Sequence, residues 1–156
     1  MTLEELKEEV NIELESIEKV VQELSDLLGD TGNREPTVRE KTAAATFLSQ
    51  FYTGIENILK RISRLHSIDL PTGETWHIEL FKRFCDPPFK TLPLLFDDEL
   101  ASALAPYRKF RHVVHHGYAF QLDWDRMKEG IASIAHVFAR FQTKLNDYLE
   151  SPDMNV

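Results

Sequence analysis

An all-α fold is what this sequence predicts, and three observations carry the prediction. Apolar residues recur at alternating steps of three and four along three long segments, the spacing that lines up one face of a helix. Capping residues, glycines and prolines fall in the gaps between those segments, where helices start and stop. No stretch alternates apolar and polar residues as a half-buried strand would, and there is no internal repeat or low-complexity tract. The expected architecture is a helical bundle of four long helices and one short one.

The first helix is expected over residues 3–28. Leu3, Leu6, Val10, Leu14, Ile17, Val21, Leu24 and Leu28 form one stripe, with Glu and Lys between them. Gly29 is the expected stop, followed by the polar loop Asp30-Thr31-Gly32-Asn33. Thr37-Val38-Arg39-Glu40 has capping-box spacing and restarts a helix after Pro36. That second helix runs to about His66 on the stripe Ala44, Leu48, Phe51, Ile55, Ile58, Ile62 and Leu65. Steps averaging about 3.5 residues favour shallow, near-parallel packing of the bundle type.

Pro71-Thr72-Gly73 interrupts the chain. A short third helix is expected from Thr75 to Phe84, with Trp76, Leu80 and Phe84 on one side, ended by Asp86-Pro87-Pro88. The fourth begins between Pro93 and Asp98, and Pro106 inside it predicts a kink or a break. The fifth begins near Asp123 or Asp125 on the stripe Met127, Ile131, Ile134, Phe138, Phe141, Leu145 and Tyr148. A single domain is expected over residues 1–150, with a loose tail over 151–156.

Composition narrows the function. The chain has 156 residues, a size for one real core, and its 42% hydrophobic and 28% charged residues are those of a water-soluble globular protein. No apolar run reaches the roughly 20 residues of a membrane span, and the acidic start Met1-Thr2-Leu3-Glu4-Glu5 is unlike a targeting peptide. One cysteine, Cys85, excludes an internal disulfide or a cysteine-rich zinc site and fits a reducing cytoplasm. The net charge of −8 argues against a broad grip on duplex DNA. Its distribution matters more. Residues 1–30 hold ten Asp/Glu and two Lys, whereas the other 126 residues balance sixteen acids against sixteen Lys/Arg. The acidity belongs to one helix, and the remaining surface is free to carry basic patches.

One such patch is Arg108-Lys109-Phe110-Arg111-His112-Val113-Val114-His115-His116-Gly117-Tyr118. Extending the fourth helix's seam from Leu100 through Leu104 and Tyr107 puts Arg111 where an aliphatic residue belongs. A buried guanidinium there needs an anion or carbonyls. A second seam, through Ala103, Tyr107, Phe110, Val114 and Gly117, would leave Arg111 on the flank, and an ordinary ion pair to a neighbouring helix would also satisfy it. His115 lies one turn after Arg111 on the same face, while His116 is ~140° round unless Gly117 lets the helix end. Imidazole moves protons near neutral pH and Arg matches phosphate, so one of each is a minimal kit for cutting RNA. Two other readings compete. His112, His115 and His116 could bind a metal, although no adjacent Cys or acid joins them. Cations at a helix C-terminus are also favoured by the helix dipole alone. His66, His77 and His136 stand singly and read as packing, capping or surface residues, and Cys85 as a half-buried filler.

Arg111-His112-Val113-Val114-His115-His116-Gly117-Tyr118 resembles the Arg-x4-His-x-Tyr signature of HepT toxins, members of the HEPN ribonuclease superfamily. Phe51-Tyr52-Thr53-Gly54-Ile55-Glu56-Asn57-Ile58-Leu59 and Pro71-Thr72-Gly73-Glu74-Thr75-Trp76-His77 are similar to that family in the same order, so the resemblance spans about residues 40–148. It implies a HEPN-like helical bundle and a metal-independent endoribonuclease without cofactor that cuts RNA, often tRNA, by 2′-hydroxyl attack to leave 2′,3′-cyclic phosphate ends. By the same resemblance, Arg111 binds phosphate and stabilises the transition state, and His116, two residues before a tyrosine, is the general acid/base. The implied partners are a second copy of the chain and an MNT-type nucleotidyltransferase antitoxin that adds AMP to Tyr118. Arg108, Lys109, His112 and His115 are candidates for supporting or RNA-contacting roles. Glu56 could orient Arg111 or a histidine, or could simply pair with Lys60. The rival expectation is a catalytically inactive module that binds RNA, a nucleotide or another protein.

Overall fold

The computed structural model describes residues 1–118 and 121–151, so the tail expected over 151–156 lies, beyond Ser151, outside the described residues. Among the described residues there are five helices and no strand: α1 (Leu3–Thr31), α2 (Val38–Leu65), α3 (Trp76–Lys82), α4 (Asp98–His116) and α5 (Trp124–Leu149). The all-α expectation of four long helices and one short one is met. No helix of the described residues is long and apolar enough to cross a membrane.

α1 opens with a capping box in which Thr2 and Glu5 satisfy each other's backbone N–H groups. It does not stop at Gly29 as expected. A glycine inside a helix only lowers its stability, by about 1 kcal/mol, and does not end it. The end comes at Gly32, whose φ of +54° turns the chain so that its N–H donates to the Leu28 carbonyl. α2 starts at Thr37 with the capping box read from sequence, and Arg34 clamps the box carboxylate of Glu40 through two 2.8 Å bonds. Those bonds, with the Thr37 N–H, hold the Glu40 carboxyl down at about 2.

α1 and α2 form the most extensive helix pair. Their apolar stripes meet face to face, with Leu6, Val10, Ile17 and Leu24 buried against Leu48, Phe51, Ile55, Ile58 and Ile62. The helices pack tightly at Gly54, where a Cβ would stand only 2.5 Å from Ile17 Cγ1. Glycine is therefore what lets the two axes come together there. Arg61 fixes their register by reaching across to Glu9 at 2.8 Å and Glu13 at 3.0 Å, two carboxylates one turn apart on α1.

α3 is shorter than its expected span of Thr75 to Phe84, ending at Lys82 before the prolines are reached. The backbone of Phe84 turns away to accept from the Leu95 and Phe96 N–H groups, each at 3.1 Å. Phe96 sits in a nest of rings, 4.7 Å from Phe81, 6.4 Å from Phe84 and 6.2 Å from Phe141. This aromatic cluster pins the 85–97 connection beneath α3. His66, at the end of α2, braces the same region through Tyr148 Oη at 2.7 Å and Thr91 Oγ1 at 3.1 Å, and burial pushes its pKa down.

Of the kink or break expected at Pro106, the break does not occur: α4 runs continuously through it. Both Pro106 and Ser102, whose carbonyl loses its helical donor, lie at the surface, where a backbone carbonyl can be hydrated at little cost. Asp97 caps the helix by accepting from the Leu100 N–H at 2.8 Å. Leu100, Leu104 and Tyr107 are buried, and Tyr107 donates to the Gly130 carbonyl of α5 at 2.7 Å. α5 is capped by Asp123, and the stripe from Met127 to Leu145 is buried as expected.

Candidate functional site

Three separate stretches of sequence converge on one site: the middle of α2, the first turn of α3, and the last three turns of α4. Glu56 of α2 occupies a core position and is 1% exposed. A carboxylate placed there must find partners, because an unpaired buried charge costs several kcal/mol. It finds two. One oxygen lies 2.6 Å from His77 Nδ1, and the other lies 3.5 Å from Arg111 Nη1.

Arg111 follows Tyr107 along the first seam and reaches inward between α2 and α3. Its Nε donates to Thr53 Oγ1 at 2.9 Å. The Thr53 hydroxyl spends its own proton on the Ser49 carbonyl at 3.0 Å, which leaves the oxygen free to accept. Nη1 lies 3.0 Å from His77 Nδ1, whereas Nη2 has no partner among the described residues. One side of the guanidinium is thus fixed by the protein and the other is available to a ligand.

The ring of His77 packs on Trp76 with centroids 3.4 Å apart, and Lys60 lies over the Trp76 ring at 4.6 Å. Lys60 therefore does not pair with Glu56, the simpler partner that helical spacing offered. Nor is His77 an isolated packing or surface residue, as its place in the sequence implied; it belongs to the centre of the site. One turn before Glu56 on α2, Tyr52 is fully buried with a hydroxyl that lacks a hydrogen-bond partner among the described residues. Burial, and after it the Glu56 carboxylate, pushes the Tyr52 phenol well above its ordinary range.

An open groove of about 820 Å³ runs over this cluster. Arg108, Lys109, Arg111, His112, His115 and His116 of α4 form one wall, and His77 and Ile78 of α3 form the other. His112 and His116 are exposed one turn apart with ring centroids at 4.5 Å. His115 and His116 both reach the groove, so the end of α4 offers two imidazoles to it. Arg108 makes no ion pair among the described residues; its guanidinium sits 5.6 Å from the Phe81 ring and its Nε lacks a hydrogen-bond partner. Tyr118 stands 68% exposed just past the end of α4, its N–H donating to Gln121 Oε1 at 3.2 Å. Among the described residues, no group of three or more His, Cys, Asp or Glu could hold a metal ion. Cys85 lies apart, half-buried, with its thiol pushed up by burial.

The structure thus gathers Arg108, Lys109, Arg111, His112, His115 and His116 around one groove, with Glu56 buried behind it; Tyr118, two residues past His116, is not part of its lining. His77 and Thr53 are the members that residue-level reading missed. Both lie inside the two outlying segments that resembled the HepT family, which was the signal available for them.

Chemically, the arrangement offers a half-free guanidinium, two further cations and several imidazoles facing one space large enough for a nucleotide unit. That suits an anionic ligand whose reaction needs protons moved. A family model described as HepT-like protein matches residues 43–151, from the second turn of α2 to just past the end of α5. No curated protein matches the chain, and no solved structure does.

Proposed function

Because the chain belongs to the HepT-like family, we propose that it is the metal-independent endoribonuclease toxin of a toxin–antitoxin pair. The observation that carries this reading is the sharing of one groove by Arg111 and His116. Arg111 Nη2 binds a non-bridging oxygen of the RNA phosphate and stabilises the charge that grows there as the 2′-oxygen attacks. His116 exchanges the proton that must move between the ribose hydroxyl or leaving oxygen and the site. Arg108 and Lys109 extend the cationic wall along the RNA backbone, with His112 and His115 beside them. Glu56 and Thr53 hold Arg111 in the orientation this requires.

The partners follow the family. Exposed Val113 and Ile78, 54% and 38% accessible beside the groove, support a second copy of the chain covering that face in a homodimer. Tyr118, exposed two residues after His116, is the hydroxyl that an MNT-type nucleotidyltransferase antitoxin modifies with AMP. The added phosphate and base would compete with RNA by charge and by volume. The setting is the cytoplasm, where RNA and ATP are both at hand.

One observation favours the rival reading of a module that binds RNA or a nucleotide without cutting it: the Arg111 charge is shared with Glu56 at 3.5 Å, which weakens its field in the groove. One experiment separates the two. The purified protein, sedimenting as a dimer, is expected to cut RNA in EDTA and to stop after incubation with the antitoxin and ATP, while Tyr118→Phe escapes that block. Binding of RNA without cleavage at any pH between about 5 and 9, the range over which imidazoles change charge, would establish the rival.

A further inference from the structure

Glu56 and His77 have no place in the Arg-x4-His motif, yet they form the shortest polar contact in the site. Two lone pairs cannot meet at 2.6 Å without repulsion, so a proton lies between His77 Nδ1 and the Glu56 oxygen. Nδ1 cannot both donate to the carboxylate and accept from Arg111 Nη1, which lies 3.0 Å away; with the ionised acid at 2.6 Å the Nδ1–H form avoids the repulsion, and Arg111 then meets Glu56 as an ion pair at 3.5 Å. In the neutral form of this tautomer the lone pair is on Nε2, for which no partner exists among the described residues. A carboxylate buried behind an imidazole selects that tautomer and fixes the ring's direction, the division of labour found in carboxylate–histidine pairs of hydrolases. The ring is 31% exposed and lines the groove opposite His116.

We propose that His77 is the general base of the cleavage, with Glu56 as its positioning residue and His116 acting as the general acid. This rests on the ribonuclease reading and assigns each proton. His77 Nε2 takes the proton of the 2′-hydroxyl as the 2′-oxygen forms its bond to phosphorus. The bond from phosphorus to the 5′-oxygen breaks with its electron pair, and that oxygen takes the proton of the His116 imidazolium. The products are a 2′,3′-cyclic phosphate and a 5′-hydroxyl, and exchange with water returns both rings to their starting states. A separate base and acid on opposite walls remove the need for one imidazole to do both tasks. The placement of Glu56 fits the same division. A buried charge adds little to stability over an apolar residue of its size, so its presence at a core position points to the ring it orients.

The test uses two substrates, an ordinary RNA and one whose scissile 5′-oxygen is replaced by sulfur, a leaving group that departs without a proton. On the ordinary RNA, His77→Ala and His77→Asn are expected to lose about 10²–10⁴-fold in cleavage rate with RNA affinity unchanged. Asn keeps a donor for Glu56 and so preserves the fold if alanine does not. On the sulfur substrate His116→Ala regains its rate, whereas both His77 variants stay slow. Normal cleavage by His77→Asn, rescue of either His77 variant by sulfur, or failure of sulfur to rescue His116→Ala would overturn the assignment. Wild-type protein that cuts neither substrate would instead remove the ribonuclease reading itself.

Discussion

Arg111→Ala is expected to lower RNA cleavage by about 10³-fold, the scale of removing one preorganised donor from a developing oxyanion. His116→Ala is expected to cost about 10²–10⁴-fold as a lost proton-transfer group. The two variants should differ in stability. His116 is exposed and its removal should leave unfolding within about 0.5 kcal/mol of wild type. Arg111 is only 19% exposed and neutralises Glu56, which is 2% exposed at the side chain, so its loss leaves a buried carboxylate leaning on His77 alone. Breaking a fully buried ion pair costs about 3–5 kcal/mol; partial exposure and the second partner reduce that here to about 1–2 kcal/mol. Arg111→Lys separates charge from shape: it restores stability but cannot both bond Thr53 and present a second nitrogen to phosphate, so cleavage should stay low. Initial rates on one RNA, with thermal melts of each variant, check both halves. Full activity in Arg111→Ala would remove the residue from the mechanism.

The largest effect on folding is expected at Phe96. Its side chain is 1% exposed among Phe81, Phe84 and Phe141, and truncation to alanine leaves a cavity that rigid rings do not close. Phe96→Ala should cost about 3–5 kcal/mol. For a chain of this size that lowers Tm by roughly 10 °C. Because Phe96 anchors the connection under α3, and α3 carries His77, the variant should also lose cleavage at temperatures below its own melting transition. Denaturant titration gives the free energy directly, and a loss under about 1 kcal/mol would mean that the aromatic cluster is not what holds α3 in place.

The helices were legible because their burial is periodic: every apolar position of the α2 and α5 stripes from Ala44 to Ile62 and from Met127 to Leu145 is buried. The misplaced boundaries have local causes. Gly29 looked like a stop, but a glycine ends a helix only where the chain also turns to positive φ, and that happens at Gly32. Pro106 looked like a kink or a break; the helix is not broken there, and both Pro106 and Ser102, the residue whose carbonyl loses its donor, are exposed.

At the site, the α4 wall was readable because its cations and imidazoles are close in sequence. Glu56 was half readable: a carboxylate on the edge of an apolar stripe signals a partner without saying which. His77 was invisible to local reasoning, since a lone histidine in a short helix has no meaning until α3 folds onto α2 and brings Nδ1 to the buried carboxylate. Only the similarity of its segment to the family carried a trace of that tertiary contact.

Whether the groove between α3 and α4 acts on a ribose-phosphate linkage through the ribose's own hydroxyl comes down to a single atom. One cleavage site is mapped in an RNA, and the 2′-hydroxyl at that nucleotide alone is then replaced with hydrogen. Wild-type protein in EDTA is expected to cut the all-ribose strand to a 2′,3′-cyclic phosphate and a 5′-hydroxyl, and to leave the substituted linkage intact. Cleavage of the substituted linkage at an undiminished rate, or products bearing a 5′-phosphate, would show that the 2′-oxygen is not the nucleophile.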